Sequence, residues 1–587
     1  MTCSRSLPLI SALALLFGAA PQRLHAAPPP VSIEGQPPGA LSGRRVVVDP
    51  GHGQFFHETY GWTFQRSPIN GLHEDKHTNE IVMDWLRAHL EGAGARVLST
   101  RAPHRQGINV IVDNGDPGYT ETGAWATTQN PGLGYHGSYR YAVVSRAGVT
   151  ATATWSATLP ERGDYPVWLY FYAGADRSER ASFTIHHAGG QTRVRLNQQL
   201  DRQRWVYLGT YPFIPSQPAA VTLTNLDPGA PVGQEVVVLA DAVRFGVGQG
   251  DFLHDGKPSG SARWIEESFY YMLDHGAPES VYHTRMTERD SGLISRPLYA
   301  DWQGADAFVS LHTNAAEMPN VGSGLSTYIH DTAPTPGSAQ LQARIHDEIL
   351  RTTRATYAPT IRDRGKLSAN FAVVREIKTM PAVLLEVLFH DNAEPDARLL
   401  RDPGYRRDMA RAIYKGVLRY FDARAPITPI APKLLSATQL GDGLLRLRWQ
   451  GQEDPLEPTA TATSYQVQLM RGDTGFGTWV DAQGSELVIS GLRASEPLTF
   501  QLRGVNAGGA GLPSAPLTVT LVPGADPGSP LPMTMPMDPM APEPVVEEPA
   551  TGCALAPRLP RAASVLPLGL LGLVPALVVR RRRRAGR

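Results

Sequence analysis

The sequence predicts an α/β domain, with a mostly parallel sheet and helices on both faces, that is interrupted by an all-β sandwich. Three observations indicate this order. Strand-type and helix-type segments alternate in residues 43–109 and again in 248–423, which is the pattern of a parallel sheet. Residues 110–247 instead contain short alternating strands with Gly, Asp and Pro turns, as in a β-sandwich. Short strands with alternating apolar and polar residues return in 427–523 and predict a second β-sandwich.

Length and composition bound the class of protein. The chain has 587 residues, which is too long for one domain. Lys plus Arg and Asp plus Glu are balanced at 55 each, so no overall positive field favours nucleic acid and no such partner is expected. The 50 prolines and 57 glycines indicate linkers and β-rich modules.

The N-terminal residues 1–26 have the pattern of a secretory signal peptide. Arg5 supplies a short basic region, an apolar stretch covers 7–20, and Leu-His-Ala at 24–26 is an acceptable cleavage site. Cleavage there would leave Cys553 as the one cysteine, so no intramolecular disulfide is expected. The protein is predicted to be secreted across the inner membrane to the cell envelope or cell surface.

The C-terminal end has the pattern of a linker followed by an anchor. Residues 524–552 are rich in Pro, Met and acidic residues and should form an extended linker. In the tail, 553–587, an apolar run at 562–579 is just long enough to span a bilayer. The arginines at 580–584 would hold that end in the cytoplasm, so the membrane is an expected partner.

The first elements of the α/β domain are predicted at 45–49 (strand), 75–92 (helix) and 96–101 (strand). The β-branched run at 46–48 ends at Asp-Pro-Gly, since Pro lacks the donor that a ladder needs, and His52 follows. Apolar residues at three- and four-residue spacing predict the helix.

The same alternation resumes near residue 261. Helices are expected around 264–273, 296–302, 338–357 and 405–421, and strands at 281–285, 307–311 and 382–385. The sandwich is therefore inserted into a loop of the α/β domain, which a fold tolerates when the loop ends are close and exposed.

One strand of the insertion has aromatic residues on both sides. Tyr165, Val167 and Leu169 alternate with Trp168 and Tyr170, so one set should lie inside the sandwich and the other outside. Outward Trp and Tyr could stack on sugar rings, but each could equally be a core aromatic.

Three side chains with metal or acid–base chemistry follow buried strands. His52, His312 and Glu386 each lie at a strand end, and parallel α/β sheets place their sites at the carboxyl ends of strands. Glu74 and Asp75 precede the first helix. Two His and one carboxylate are the usual protein ligands of an open catalytic zinc, and a further Glu serves as general base.

These candidate residues could also have a purely structural role. Glu74 could be an acid favoured by the N-terminus of a helix. Glu386, within Leu-Leu-Glu-Val-Leu, is harder to explain in this way, because a carboxylate among apolar neighbours is costly without a partner or a role. His73 and His77 are the reserve ligands.

Several segments resemble the zinc-dependent N-acetylmuramoyl-L-alanine amidases of the amidase-3 type. The resemblance implies zinc on His52, on the acid ahead of the first helix and on His312, with Glu386 catalytic. It implies peptidoglycan as substrate and hydrolysis of the amide between the lactyl group of muramic acid and L-alanine. The segments that carry it are 46–53, 91–97, 310–315, 369–375 and 380–392.

The third ligand is open between two neighbours. In the amidase-3 pattern the ligand Glu precedes an Asn by four residues, whereas Asn79 is four residues after Asp75 and five after Glu74. A one-residue shift in the loop is easily absorbed and Glu is the usual ligand, so Glu74 is predicted and Asp75 is the rival.

The other modules carry separate resemblances. Segments 111–115, 119–125, 139–142 and 240–245 resemble the golvesin and xanthan-lyase domain, which implies polysaccharide as a partner of the inserted sandwich. Residues 427–523 resemble a fibronectin type III domain, with Trp449 and Tyr465 in its core. The tail is similar to bacterial surface-sorting tails of the Myxo-C-terminal kind, which implies processing or attachment at Cys553.

The expected function is that of a secreted, envelope-attached zinc amidase acting on peptidoglycan. A non-catalytic adhesin that binds wall and glycan is one rival, although such a protein has no use for a base at Glu386. A zinc hydrolase acting on another amide, or on an exopolysaccharide-linked substrate, is the second.

Overall fold

The computed structural model describes residues 31–128, 130–285 and 287–534. The predicted signal peptide (1–26), the sorting tail (553–587) and most of the predicted linker (524–552) lie outside the described residues. In the part of the chain that the structure describes, no helix is both long enough and apolar enough to cross a bilayer.

The α/β domain is built on a six-stranded sheet. All neighbouring strands are parallel except Leu325–Ile329, which is antiparallel to Ala382–Phe389. The sheet order is Asp363–Ser368, Leu325–Ile329, Ala382–Phe389, Ala307–Asn314, Arg45–Asp49 and Arg96–Ser99. The strands expected to carry His52, His312 and Glu386 are therefore three consecutive members of the sheet.

Helices cover both faces of this sheet. Val46 and Val48 enter one core and Val47 enters the other, as the two-residue period of a strand requires. The first core is closed by Glu74–Ile81, a π-helical turn at Val82–Leu86, Arg87–Gly92, Arg398–Arg401, Ser338–Thr356 and Pro403–Phe421. The second is closed by Ser268–Asp274, Glu279–Tyr282, Glu288–Trp302 and Ala372–Arg375.

One predicted strand of this domain is wrong. Residues 281–285 were expected to be extended, but the chain forms the short helix Glu279–Tyr282. Pro278 precedes its first turn and Glu279 lies within it, both of which favour a helix start. Val281 packs in the second core, and its spacing from neighbouring apolar residues fits one helical turn as well as a strand. Two strands were missed, Leu325–Ile329 and Asp363–Ser368.

The insertion is a sandwich of two larger sheets with a small third sheet. The six-stranded sheet has the order Val31–Ile33, Gly190–Leu196, Ala181–His187, Ala219–Thr224, Thr152–Ala157 and Tyr119–Thr122. The four-stranded sheet contains Val206–Phe213, Gly163–Tyr170, Ala242–Gly246 and Asn109–Val112, and the small sheet contains Val237–Ala240, Arg140–Val143 and Ala126–Thr127. The edge strand Val31–Ile33 comes from the chain ahead of the α/β domain.

The outward aromatic side of the four-stranded sheet is covered by the α/β domain. Tyr165, Val167 and Leu169 lie in the sandwich core, as the alternation predicts. Trp168, on the opposite side, is only 5% exposed and packs in a cluster with Trp205 and with Tyr271 of the α/β domain. This aromatic surface, which we call the aromatic face, is therefore a domain contact rather than an open sugar platform.

The second sandwich follows the helix Pro403–Phe421. Trp449 is buried in its core with Tyr465 packed edge-on at 5.6 Å between ring centroids. The strand Ser529–Leu531, inside the range assigned to the linker, pairs with Lys433–Gly441, so the module extends past residue 523. Its other strands are Leu444–Gln450, Glu486–Ile489, Ser464–Arg471, Val480–Ala482, Pro497–Asn506, Gly509–Ala510 and Leu517–Thr520.

Buried charges join the domains. Asp201 of the insertion pairs with Arg96 and lies 3.1 Å from Arg45 Nη1 of the α/β domain. Arg411 donates to Asp454 of the second sandwich at 3.0 Å. These side chains are largely withdrawn from water, so removing one partner leaves the other charge uncompensated.

We predict that Asp201→Asn lowers the free energy of unfolding by about 2–4 kcal/mol at neutral pH. Burial opposes ionisation, but Arg96 and Arg45 hold the pKa of Asp201 below its usual value. The contribution is therefore fully present above the unfolded pKa of about 3.9 and is lost as the pH falls through the lower folded pKa. Thermal unfolding of both proteins between pH 7 and pH 3 should show their difference shrinking below pH 4. A difference independent of pH would contradict the assignment.

Candidate metal centre

The loop that carries His52 lies directly against the neighbouring strand. Gly51 has a φ of +64°, and a Cβ there would come within 3.1 Å of the Leu311 carbonyl oxygen and 3.4 Å of the His312 ring. Only glycine allows this approach at low cost. The Asp-Pro-Gly sequence therefore ends the strand and also brings His52 next to His312.

A buried carboxylate ties three adjacent strands together just before the site. Asp49 accepts a hydrogen bond from Thr100 Oγ1 through Oδ1 and another from Ser310 Oγ through Oδ2, each at 2.6 Å. Such short bonds to an ionised acceptor are among the stronger hydrogen bonds in proteins. Asp49 thereby fixes the position, along the strand direction, of the strands that lead to His52 and His312.

Glu74 is the first residue of the helix Glu74–Ile81 and points into the site. Its Oε2 pairs with Arg66, and its Oε1 accepts from the Thr313 backbone N–H at 3.3 Å. Burial alone would raise the pKa of Glu74, but Arg66, His312 and His52 hold it well below its usual range. Glu74 is therefore an ionised carboxylate, which is the form that binds a metal.

His52, Glu74 and His312 converge. One potential ligand atom from each lies within 4.8 Å of the others, and this is the one such group of three among the described residues. The two imidazoles meet edge to face with centroids 4.8 Å apart, and His312 Nδ1 is 3.5 Å from Glu74 Oε1. Burial lowers the pKa of His52 well below its usual value, so its ring is neutral and can ligate.

Glu386 lies beside this group. It is the register partner of His312 on the adjacent parallel strand, so the two side chains leave the same face of the sheet. Burial raises the pKa of Glu386 to about 7, and the nearby Glu74 acts in the same direction. A carboxyl that titrates near neutral pH is suited to accepting and returning a proton.

The rival and reserve ligands lie outside the group. Asp75 is fully buried, and its Oδ2 lies 3.4 Å from His73 Nδ1. His77 instead meets the His73 carbonyl oxygen through Nδ1 at 2.8 Å and Thr313 Oγ1 through Nε2 at 3.3 Å. Glu74 is therefore the acid that the helix start turns toward His52 and His312.

The groups that hold Glu74 in place were not predicted from the sequence. Arg66 follows a hairpin, Phe55–His57 with Gly61–Thr63, and no pattern in the sequence connects it to a residue eight positions on. Thr313 lies in the segment 310–315 that resembles the amidases, but no role was predicted for it. Its immediate position after a strand-end ligand is the signal that could have identified it.

Thr313 also links two buried histidines. His390 Nδ1 lies 2.9 Å from Thr313 Oγ1, opposite His77. Burial lowers the pKa of both histidines, so both rings are neutral. Because the His73 carbonyl oxygen must accept from His77 Nδ1, we infer that Thr313 donates to His77 Nε2 and accepts from His390 Nδ1. The chain of bonds fixes the residue whose backbone holds Glu74.

The donor set fits zinc. Two neutral imidazoles and one carboxylate are the ligands of catalytic zinc sites that keep a position open. His312 Nε2 is buried without a hydrogen-bond partner in the described part of the chain, and an orphaned buried ring nitrogen is explained when it ligates a metal. The second-sphere contacts to Glu74 from Arg66 and Thr313 are of the kind that orient metal ligands.

The fold and site define a class, an α/β domain with a His–Glu–His group next to a half-buried carboxyl. Three known protein families match segments of this chain. The N-acetylmuramoyl-L-alanine amidase family matches residues 270–419, the golvesin C-terminal domain matches 110–247, and the fibronectin type III domain matches 430–520. Of the four resemblances expected from the sequence, those to the amidase, golvesin and fibronectin type III domains are thereby confirmed, and that of the tail stays a prediction.

Curated relatives extend the amidase match. An endolysin of Bacillus phage SPP1 is 33% identical over 191 residues, covering 31% of this chain and 68% of the endolysin. The N-acetylmuramoyl-L-alanine amidase CwlM of Bacillus licheniformis is 34% identical over 151 residues, covering 26% of this chain and 54% of that protein. The chain belongs to the N-acetylmuramoyl-L-alanine amidase family and contains an amidase domain of this type.

The insertion has a relative of its own. The xanthan lyase of Bacillus sp. strain GL1 is 35% identical over 138 residues, which is 23% of this chain but only 14% of the lyase. The chain thus spans a small part of the lyase and about half of the CwlM amidase.

Glu74→Gln and Asp75→Asn separate the two candidate ligands. We predict that Glu74→Gln weakens zinc binding by roughly 100-fold or more, since loss of a second-sphere partner alone typically costs 10–100-fold. Asp75→Asn should retain zinc, because its carboxylate lies outside the group. Zinc titration against a fluorescent chelator measures both. Unfolding of the zinc-free proteins controls for the burial of Asp75, and zinc loss confined to Asp75→Asn would reverse the assignment.

Proposed function

We propose that this protein is a zinc-dependent hydrolase of the amide between N-acetylmuramic acid and L-alanine in peptidoglycan. The observation that carries the proposal is the position of Glu386, half-buried and in register with His312, beside the His52–Glu74–His312 group. Membership of the amidase family supports the substrate class.

Three residues, His52, Glu74 and His312, would hold the zinc. When bound, zinc supplies a Lewis acid that polarises the scissile carbonyl and acidifies water. Glu386 accepts a proton from the attacking water as the water oxygen bonds to the scissile carbonyl carbon, and it returns that proton to the nitrogen of the leaving amine. The C–N bond then breaks, and the lactyl carbonyl becomes a carboxyl group that ionises. The raised pKa of Glu386, about 7, suits both transfers.

Arg66 and Thr313 position Glu74 rather than react. Arg66 neutralises one oxygen and the Thr313 N–H holds the other, so the carboxylate keeps one orientation while substrate binds and leaves. Preorganisation of this kind spares the active site the cost of rearranging its charges during the reaction.

The proposed location is the cell envelope or cell surface, after export directed by residues 1–26. Support comes from the sequence pattern at both termini. The apolar run at 562–579, the arginines after it and Cys553 would attach the tail. An envelope location also places the amidase domain on the side of the membrane where peptidoglycan lies.

Two other functions remain as outcomes of the test. An adhesin would bind peptidoglycan without cutting it, and a zinc hydrolase of a different amide would cut elsewhere. The half-buried Glu386 beside the ligand group favours catalysis over adhesion, since an ionisable group partly withdrawn from water is costly without a role.

Glu386→Gln is the direct test of the reaction. We predict a fall in kcat of about 10²–10⁴-fold on purified muropeptides with zinc content unchanged, because Glu386 is outside the ligand group. Mass spectrometry should show stem peptides with a free L-alanine amine for the wild type. Glu394→Gln, an exposed acid paired with Arg398, is the matched control and should retain full activity.

The other outcomes discriminate among the rivals. Binding of muropeptides by the wild type without any new mass would favour the adhesin. Products with breaks at other bonds would favour a different amide substrate. Equal activity of wild type and Glu386→Gln would remove Glu386 from the mechanism.

A further inference from the structure

The inserted sandwich has one open broad face, on its six-stranded sheet. With the aromatic face packed on the amidase domain, the outward side chains of the opposite sheet are exposed or half-buried. On each of four adjacent strands, two successive outward-facing residues are Ser or Thr. We call this surface the hydroxyl face, and its members are Thr120, Thr122, Thr152, Thr154, Ser182, Thr184, Thr222 and Thr224.

Strand register sets these hydroxyls in two straight rows. One row is Ser182, Thr224, Thr152 and Thr122, and the other is Thr184, Thr222, Thr154 and Thr120. Neighbouring strands are about 4.8 Å apart, so each row spans roughly 14 Å across the sheet.

Four of the eight hydroxyls are paired with one another. Thr122 and Thr152 are hydrogen-bonded at 2.7 Å, and Thr154 and Thr222 at 3.2 Å. Each hydroxyl has one donor and two acceptor sites, so these bonds orient the row and leave further sites for a ligand. Side chains already ordered in the free protein lose little entropy on binding.

Two arginines border the rows on the next strand. Arg195 is the register partner of Ser182, and Arg193 of Thr184. Both side chains are exposed, and in the described ranges neither guanidinium forms an ion pair. The Glu34 carboxylate is at this margin too, where it accepts from the backbone N–H of Arg193. The hydroxyl face is thus bordered along one edge by two guanidinium groups and one carboxylate, which leave that edge with a net positive charge.

We propose that the hydroxyl face binds glycan strands of peptidoglycan from which the stem peptides have been removed. Sugar hydroxyls both donate and accept, as the Ser and Thr rows do. Hydrolysis at the amidase site leaves a carboxylate on each lactyl group, and Arg193 and Arg195 complement that charge. The inference rests on the proposed function: the insertion retains the glycan product that the amidase domain makes, and so holds the enzyme on wall that it has begun to strip.

Binding is tested with the full chain carrying Glu386→Gln, so that no ligand is altered during measurement. The probes are peptidoglycan glycan strands stripped of peptides by an unrelated amidase, and chitin oligomers, which lack the lactyl carboxylate. We expect the stripped strands to bind more tightly. Arg193→Gln/Arg195→Gln should weaken their binding roughly tenfold, the usual scale for two exposed charge pairs, without affecting chitin.

A second variant tests the hydroxyls. Thr154→Val/Thr222→Val keeps the β-branched shape and removes two central hydroxyls, and it should weaken binding of both probes. Arg344→Gln/Arg424→Gln removes the same charge from exposed positions of the α/β domain and its C-terminal exit, and it should bind like the parent. Thermal unfolding confirms that the variants are folded.

Unchanged binding in both face variants, or equal affinity for chitin and stripped strands, would overturn the proposal. Amide hydrolysis is assayed separately on soluble muropeptides with Glu386 restored. If hydrolysis is absent while the binding pattern holds, the proposed reaction fails and the glycan site stands.

Discussion

The Asp49 carboxylate is the interaction on which the geometry of the site depends. It is fully buried and accepts from Thr100 and Ser310 on the strands to either side. A buried carboxylate is tolerated only with such partners, so the three strands cannot slide past one another without leaving it unsatisfied. Their carboxyl ends, and with them His52 and His312, are thereby fixed in relative position.

The segment that follows the inserted sandwich is joined to the same region. The Arg101 guanidinium is fully buried and donates to the backbone carbonyls of Pro50, Trp264, Ile265 and Glu266. The Gln54 N–H also donates to the Ile265 carbonyl oxygen at 2.9 Å. The chain that returns from the insertion into the α/β domain is thus held against the His52 loop.

Much of this arrangement could be predicted from sequence because its signals are local. The Val run before Asp-Pro-Gly, the periodicity of the first helix and Glu386 between apolar residues each report their own environment. The helix at Glu279–Tyr282 was misassigned, since four residues fit a turn and a strand equally well. The contacts of Arg66, His390 and Trp168 could not be predicted, because they join segments that are distant in sequence. Glu74 was predicted over Asp75 from the sequence, and the structure groups the Glu74 carboxylate with His52 and His312.

Anomalous diffraction at the zinc absorption edge, from crystals of the zinc-loaded protein, would locate the metal. We expect one strong peak bounded by His52, Glu74 and His312, at about 2.0–2.2 Å from each ligand atom, with Glu386 alongside and not coordinated. A peak held by Asp75 or His77, a peak remote from Glu386, or no peak at full zinc loading would contradict the assignment of the site.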